Sequence, residues 1–289
     1  MPERLNLVQC AFKSLQPLED RGSLQSGLVV EPVELKPQGT PDDTLAATRM
    51  MCKSGCNLLI TFGGDGTNRL VAMESGQVPL LPISAGTNNI FPLSCEGTRA
   101  GLVAGIFLKM LNSGTDLPSG ISVNELVQQQ KLLLAETDSW SETALIDLAI
   151  SRQVSVGGRA IWDANWLEAV FVTRCAPGAS GLCGIPGGVM DIPPLAPHGA
   201  AAFLGNRFSV QAVLTPGKVQ SVGLEAVERM NLHQLHTMEV SEGTVLADGE
   251  RVRELHNEKV RITLHPEGPW VLDFEATLAA GLQHGYFQI

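Results

Sequence analysis

The stretch Asn57-Leu58-Leu59-Ile60-Thr61-Phe62-Gly63-Gly64-Asp65-Gly66-Thr67 decides the fold. Its first six residues form a short, nearly continuous apolar run, the pattern of a strand buried on both faces of a parallel sheet. A Gly-rich turn follows at once, and a helix beginning near Thr67 is predicted to run to Ser75. Upstream, Thr40 is a helix cap, Pro41 suits the first helical position and Asp43 completes a capping-box-like exchange. That helix ends at Gly55, which supplies the left-handed conformation of a C-terminus. Downstream, 78–83 reads as a second strand, Ser84-Ala85-Gly86-Thr87-Asn88-Asn89 as a second loop, and 98–111 as a third helix. Strands alternating with helices predict an α/β unit with right-handed crossovers.

Beyond 112–115 the texture changes. Segments 131–136, 143–151, 168–174, 209–215, 237–240, 259–265 and 270–275 read as strands separated by turns. The fold class is therefore α/β: an N-terminal, parallel-sheet, Rossmann-like domain over 1–113 that binds nucleotide, and a C-terminal, mainly β domain over 114–275. The tail, 276–289, is expected to pack back on the first domain. Segment 178–197 is rich in Gly and Pro, and reads as a long irregular connection that is either functional or mobile.

With 289 residues, 44% hydrophobic and 17% charged, the chain can bury a large core. A net charge of -10 without a Lys/Arg-rich run repels polyanions, so nucleic acid is not expected as a partner. The start, MPERLNLV, carries charge at once, and the apolar run at 101–108 is too short to span a bilayer. A cytoplasmic protein without a membrane partner is the expectation. Cys10, Cys52, Cys56, Cys95, Cys175 and Cys183 form no CxxC pairs, and His233 and His236 lack the Glu of HExxH. They read as buried hydrophobes and ordinary polar residues, with no metal site.

The chemistry gathers at the carboxyl ends of the first two strands. Gly63, Gly64 and Gly66 around Asp65 place backbone N–H groups and one carboxylate where a parallel sheet opens to ligands. The helix that follows favours an anion at the same spot, and the Gly86-Thr87-Asn88-Asn89 turn should lie beside it. The same surroundings predict an ionised Asp65, ready to accept a proton. Arg69, one helical turn on, either reaches a phosphate or makes an ion pair. Asp248-Gly249 is either functional or a hairpin turn. Asp147, alternating with Ile146 and Leu148, either faces a cleft or is solvated.

The string Gly63-Gly64-Asp65-Gly66-Thr67-Asn68-Arg69, followed by Pro82-Ile83-Ser84-Ala85-Gly86-Thr87-Asn88-Asn89-Ile90-Phe91-Pro92, resembles the ATP-NAD kinase-like superfamily, which includes diacylglycerol and sphingosine kinases. Within it, the chain is most similar to the acetoin-catabolism protein X branch. The resemblance runs on through 144–152, through Pro177-Gly178-Ala179-Ser180-Gly181 at the place of a substrate loop, and to Leu246-Ala247-Asp248-Gly249-Glu250. It implies a kinase using ATP with Mg2+, with NAD as one possible substrate, in a cleft between the two domains. By the resemblance Asp65 takes the proton of the acceptor hydroxyl. The other site residues expected are Gly63, Gly64, Gly66, Thr67, Asn68, Arg69, Gly86, Thr87, Asn88, Asn89, Asp147, Ser180, Asp248, Gly249 and Glu250. Members of the superfamily commonly associate, so a homo-oligomer is expected.

Three features depart from NAD kinases: Ile146-Asp147 replaces an Asn-acid pair, Gly181-Leu182-Cys183 replaces Thr-Ala-Tyr, and no phosphate loop precedes Thr40. A non-catalytic nucleotide- or NAD-binding regulator is the alternative reading, and a lipid kinase the third.

Overall fold

The computed structural model describes residues 6–8, 29–31, 33–86, 88–112, 123–153 and 164–288. In chain order the elements begin with β1 (Asn6–Val8), β2 (Val29–Glu31), α1 (Pro41–Lys53), β3 (Leu59–Gly63), α2 (Asp65–Ser75), β4 (Leu80–Ser84) and α3 (Gly97–Asn112). Next come β5 (Val127–Gln129), β6 (Leu132–Glu136), β7 (Ser141–Ala144), β8 (Asp147–Ser151), β9 (Leu167–Val172) and the single turn α4 (Gly184–Gly187). The chain closes with β10 (His198–Thr215), β11 (Lys218–Asn231), β12 (His236–Ala247), β13 (Glu250–His265), β14 (Trp270–Leu272) and α5 (Phe274–Gln283).

Two sheets carry the site. The first has the order β3-β4-β14-β5, parallel except for β5; the second has eight strands in the order β11-β10-β9-β8-β12-β13-β6-β7. β1 and β2 pair separately and in parallel. This is the two-domain, NAD kinase-like arrangement that the sequence predicts.

Local signals explain the first region. The Asp43 carboxylate accepts the N–H groups of Gln38, Gly39 and Thr40 at the start of α1, and Gly55 closes that helix at φ 78. α2 begins two residues earlier than predicted, at Asp65 itself, because an acidic residue in the first turn complements the positive helix end. Burial on both faces does not hold for β3. Leu59 and Thr61 are buried towards α1 and α2, while Ile60 and Phe62 are 38% and 67% exposed. They lie beside Leu81 and Ile83 of β4, which α3 covers, whereas β3 is the outermost strand of its sheet among the described residues.

The second sheet buries one apolar cluster on each face. Phe171, fully buried, meets Phe203 edge to face at 6.0 Å. Here β10, β12 and β13 are longer than the predicted segments, and β11 lies outside all of them, because its polar and charged residues dilute the apolar alternation. The predicted strand 143–151 is split at Leu145-Ile146 into β7 and β8. Segment 178–197 is irregular apart from the single turn α4, yet it is closely packed there: Gly184 and Gly187 lie so close to the Ala179 and Ala176 carbonyls that a Cβ would sit 2.4 and 2.2 Å away.

Two strands from within 114–275, β5 and β14, belong to the first sheet, so sheet membership does not follow the boundaries at 114 and 275. The chain crosses between sheets at Gln130-Lys131 and returns at Gly268-Pro269. These crossings are stitched together, Gln130 N–H to the Pro269 carbonyl and Gly268 N–H to the Gln130 carbonyl, both at 2.9 Å. After β14 the predicted strand gives way to α5, capped by the Asp273 side chain, which accepts the Ala276 N–H at 2.9 Å. α5 packs on α3, with Gly281 against Ile106. Among the described residues, no helix is long and apolar enough to cross a membrane.

Candidate active site

Asp65 stands just past the carboxyl end of β3 and reaches across to the second loop. Its carboxylate accepts the N–H of Phe91 at 2.8 Å and that of Ile90 at 3.1 Å. Burial pushes its pKa up, against the pull of these two amides and of Arg174. The direction of the shift is opposite to the pull of the helix end and glycine turn, because the surrounding protein removes more hydration than they offset.

The glycines of the first loop make room for the protein's own side chains. A Cβ on Gly64 would lie 2.8 Å from Asn89 Oδ1, and one on Gly66 would lie 2.5 Å from Glu250 Oε1. A Cβ on Gly63 would meet Thr67 at 2.7 Å, and one on Gly86 would be 3.1 Å from Asn89 Nδ2. Asn89 donates to Ser84 Oγ at 2.9 Å, which fixes the second loop beside the first. Asn68 is fully buried; its amide donates to the Gly64 carbonyl at 2.8 Å and accepts from Thr61, so it braces the turn from behind. Thr87 lies outside the described residues.

From the second sheet, Asp248 takes the hairpin-turn reading and brings its carboxyl group to the site. Asp248 and Gly249 form the β12–β13 turn at φ 50 and 76, and the carboxyl group is buried. It accepts the N–H groups of Leu145, Ile146 and Asp147 at 2.9, 2.7 and 3.3 Å, which explains the break between β7 and β8. Burial pushes its pKa up to about 7, with nearby Asp65 adding to the rise and the Leu145 and Ile146 amides and Arg69 opposing it. Asp147 faces inward too. Burial, with Asp248 and Asp65 close by, holds it well above the usual carboxylate range, and its Oδ1 has no hydrogen-bond partner. The Asp65, Asp147 and Asp248 carboxyls, with Asn88, Ser180 and Gly249, line one pocket of about 80 Å³.

Two buried arginines bridge the regions in opposite directions. Arg69, from α2, meets Glu250 at 3.0 Å and lies 3.8 Å from both Glu142 and Asp248. Arg174, just after β9, lies over the Phe91 ring at 5.6 Å and donates to Gln130 Oε1 at 2.8 Å. Lys131 is also buried and donates to the His198 carbonyl at 2.6 Å; burial and Arg174 bring its pKa down to about 8. Arg174, Lys131 and Glu142 were missed in the sequence. The one signal for Arg174 was a lone cation ending an apolar strand immediately before the Gly-rich segment. Among the described residues, no group of three or more His, Cys, Asp or Glu side chains is arranged to hold a metal ion.

Comparison with known proteins agrees with this two-part build. Residues 8–95 match the ATP-NAD kinase N-terminal domain, and residues 130–267 match the acetoin catabolism protein X C-terminal domain. The chain is 31% identical to acetoin catabolism protein X of Cupriavidus necator, over 96% of its own length and 82% of the relative's. The chain thus belongs to the acetoin catabolism protein X family, within the ATP-NAD kinase-like superfamily.

Proposed function

We propose that the protein is an ATP-dependent kinase, transferring the γ-phosphoryl group of ATP to a hydroxyl of NAD or of a related small metabolite. The observation that carries this reading is Asp65: a carboxylate past the end of a parallel strand, fixed by two amides of the neighbouring loop, in a pocket shared by both regions. In the step proposed, Asp65 takes the proton of the acceptor hydroxyl, the oxygen bonds to the γ-phosphorus and the bond to ADP breaks. Backbone N–H groups of the 63–67 loop and the Asn88 and Asn89 amides are the groups offered to phosphate and ribose. Mg2+ enters with the nucleotide. The relative's name concerns acetoin breakdown, and acetoin, itself a small hydroxyl compound, belongs among the acceptors to be tried.

One observation favours the regulator instead. Glu250 and Asn89 lie against the very glycines that a phosphate would approach. ATP consumption with NAD, acetoin and small polyols separates the two readings. For a kinase, Asp65→Asn retains nucleotide binding while turnover falls roughly a hundredfold to ten-thousandfold. Wild-type turnover that Asp65→Asn leaves unchanged removes Asp65 from the reaction, and no turnover with any acceptor favours the regulator. A homo-oligomer in the cytoplasm completes the proposal. Light scattering that finds only a monomer-sized particle over a wide concentration range would count against the assembly.

A further inference from the structure

The two buried arginines are not equivalent. Arg69, the one within the sequence motif, already has three carboxylates within 4.0 Å. Arg174, only 9% exposed, has no such ion pair among the described residues, although the Nε of each arginine is without a hydrogen-bond partner. Its two contacts are instead mechanical. Gln130 holds one end of the guanidinium at the crossing between the sheets, and the flat face rests on Phe91. The backbone N–H of that same Phe91 makes the shortest hydrogen bond to Asp65, at 2.8 Å.

We propose that Arg174 is the positioning residue of Asp65: braced by Gln130, it seats Phe91 so that the Ile90 and Phe91 amides stay aimed at the carboxylate, and it supplies that carboxylate's uncommitted positive charge. The proposal builds on the assignment of Asp65 as the reacting carboxylate. The charges around the pair come from every side. Asp147 on β8 and Asp248 in the β12–β13 turn lie close enough to Asp65 for its charge to raise their pKa values, and the buried Cys183 thiol lies close to both Asp65 and Arg174. Lys131 stands beside Arg174, and Arg69 and Glu250 complete the surround at Asp248. Of these cations, Arg174 is the one whose pull is directed at Asp65. A positive charge held close in a site that excludes water favours the ionised carboxylate, so its removal moves proton uptake to higher pH.

The test uses the full chain, without ligand and then with Mg-ATP and acceptor. Carboxyl carbon NMR, with Asp65→Asn for assignment, follows the Asp65 titration in the wild type, Arg174→Gln and Arg174→Lys. Arg174→Gln is expected to move that titration upward and Arg174→Lys to restore part of the shift. In turnover, kcat should fall more at about pH 6 than at about pH 8, because the base is then protonated over more of the acid range, while nucleotide Kd stays within about threefold. Gln130→Met, which removes the brace together with the long 3.4 Å bond from the Gln130 amide to the Gln128 carbonyl, should give a smaller shift of the same sign and serves if Arg174→Gln does not fold. An Asp65 titration that stays in place in folded Arg174→Gln or Gln130→Met overturns the proposal. The NMR result needs no turnover. A shifted titration without phosphoryl transfer therefore upholds the positioning role and sinks the kinase, and normal transfer with an unmoved titration does the reverse.

Discussion

The helix-flanked first sheet and the eight-stranded second sheet meet at one pocket, yet they contribute to it in opposite ways. The first brings the motif: a glycine turn, Asp65 and Arg69, with the Asp65 carboxylate and the Arg69 charge both met by partners. The second brings no motif of comparable clarity, but among the described residues it holds Asp147 Oδ1 without a hydrogen-bond partner and Arg174 without an ion pair; each side leaves one arginine Nε without a hydrogen bond, Arg69 Nε and Arg174 Nε. Buried polar atoms without partners are costly, and a fold retains them only where the surrounding structure enforces them. The cation most legible in sequence is thus the ion-paired one, and the cation without an ion pair among the described residues sits on the side that the motif does not reveal.

The largest expected effect that sharpens this contrast is one of packing. Phe171→Ala empties the fully buried centre of the second sheet and should cost about 3–5 kcal/mol in denaturant unfolding. Phe62→Ala, at an aromatic 67% exposed on β3, should change stability by only about 0.5 kcal/mol. Equal losses would contradict the exposed placement of Phe62 on β3.

Glycine substitutions come next. A Cβ at Gly199 in β10 would lie 2.2 Å from the Val172 carbonyl, a backbone atom that cannot step aside, so Gly199→Ala should cost roughly 1–3 kcal/mol. At Gly66 the obstacle is the end of the Glu250 side chain, which is 54% exposed and can swing away. Gly66→Ala should therefore leave unfolding within about 0.5 kcal/mol of the wild type while weakening nucleotide binding, since the cradle is lost. A fully stable Gly66→Ala protein with undiminished nucleotide affinity would remove that loop from the binding site.

The smallest effect is a dependence of stability on pH. The folded-state pKa of Asp248 is raised to about 7, so the native protein holds a proton that the unfolded chain releases near pH 4. Stability from this group is therefore lost as pH rises from about 4 to about 7, and Asp147 acts in the same direction. Lys131 acts above that range. With its folded pKa brought down to about 8, the native chain binds fewer protons than the unfolded one between there and 10.5, and stability rises with pH. The three groups together predict a shallow minimum near pH 7–8, with the alkaline rise limited to below about pH 9, where the buried Cys56 and Cys175 thiols, pushed up to about 12 and about 11, make stability fall again; the denaturation midpoint across a pH series measures this. Asp248→Asn should flatten the acid side of that minimum and leave the alkaline side unchanged; the reverse pattern would contradict these assignments.

What the sequence determined by itself was the α/β start, the cap at Thr40, the place of the glycine turn, the second loop beside it and the family. Each signal lies within about ten residues, where an apolar run, a cap or a glycine limits the backbone without help from elsewhere. Only the tertiary structure decided that β5 and β14 cross into the first sheet and that polar β11 is a strand at all. It also decided that Asp248 is both a turn and a buried acid, and that Arg69 is neutralised by Glu250, 181 residues away, while Arg174 is not. These facts depend on which distant groups share a water-poor space, and burial and the cost of an unpaired charge exist only once the chain has folded.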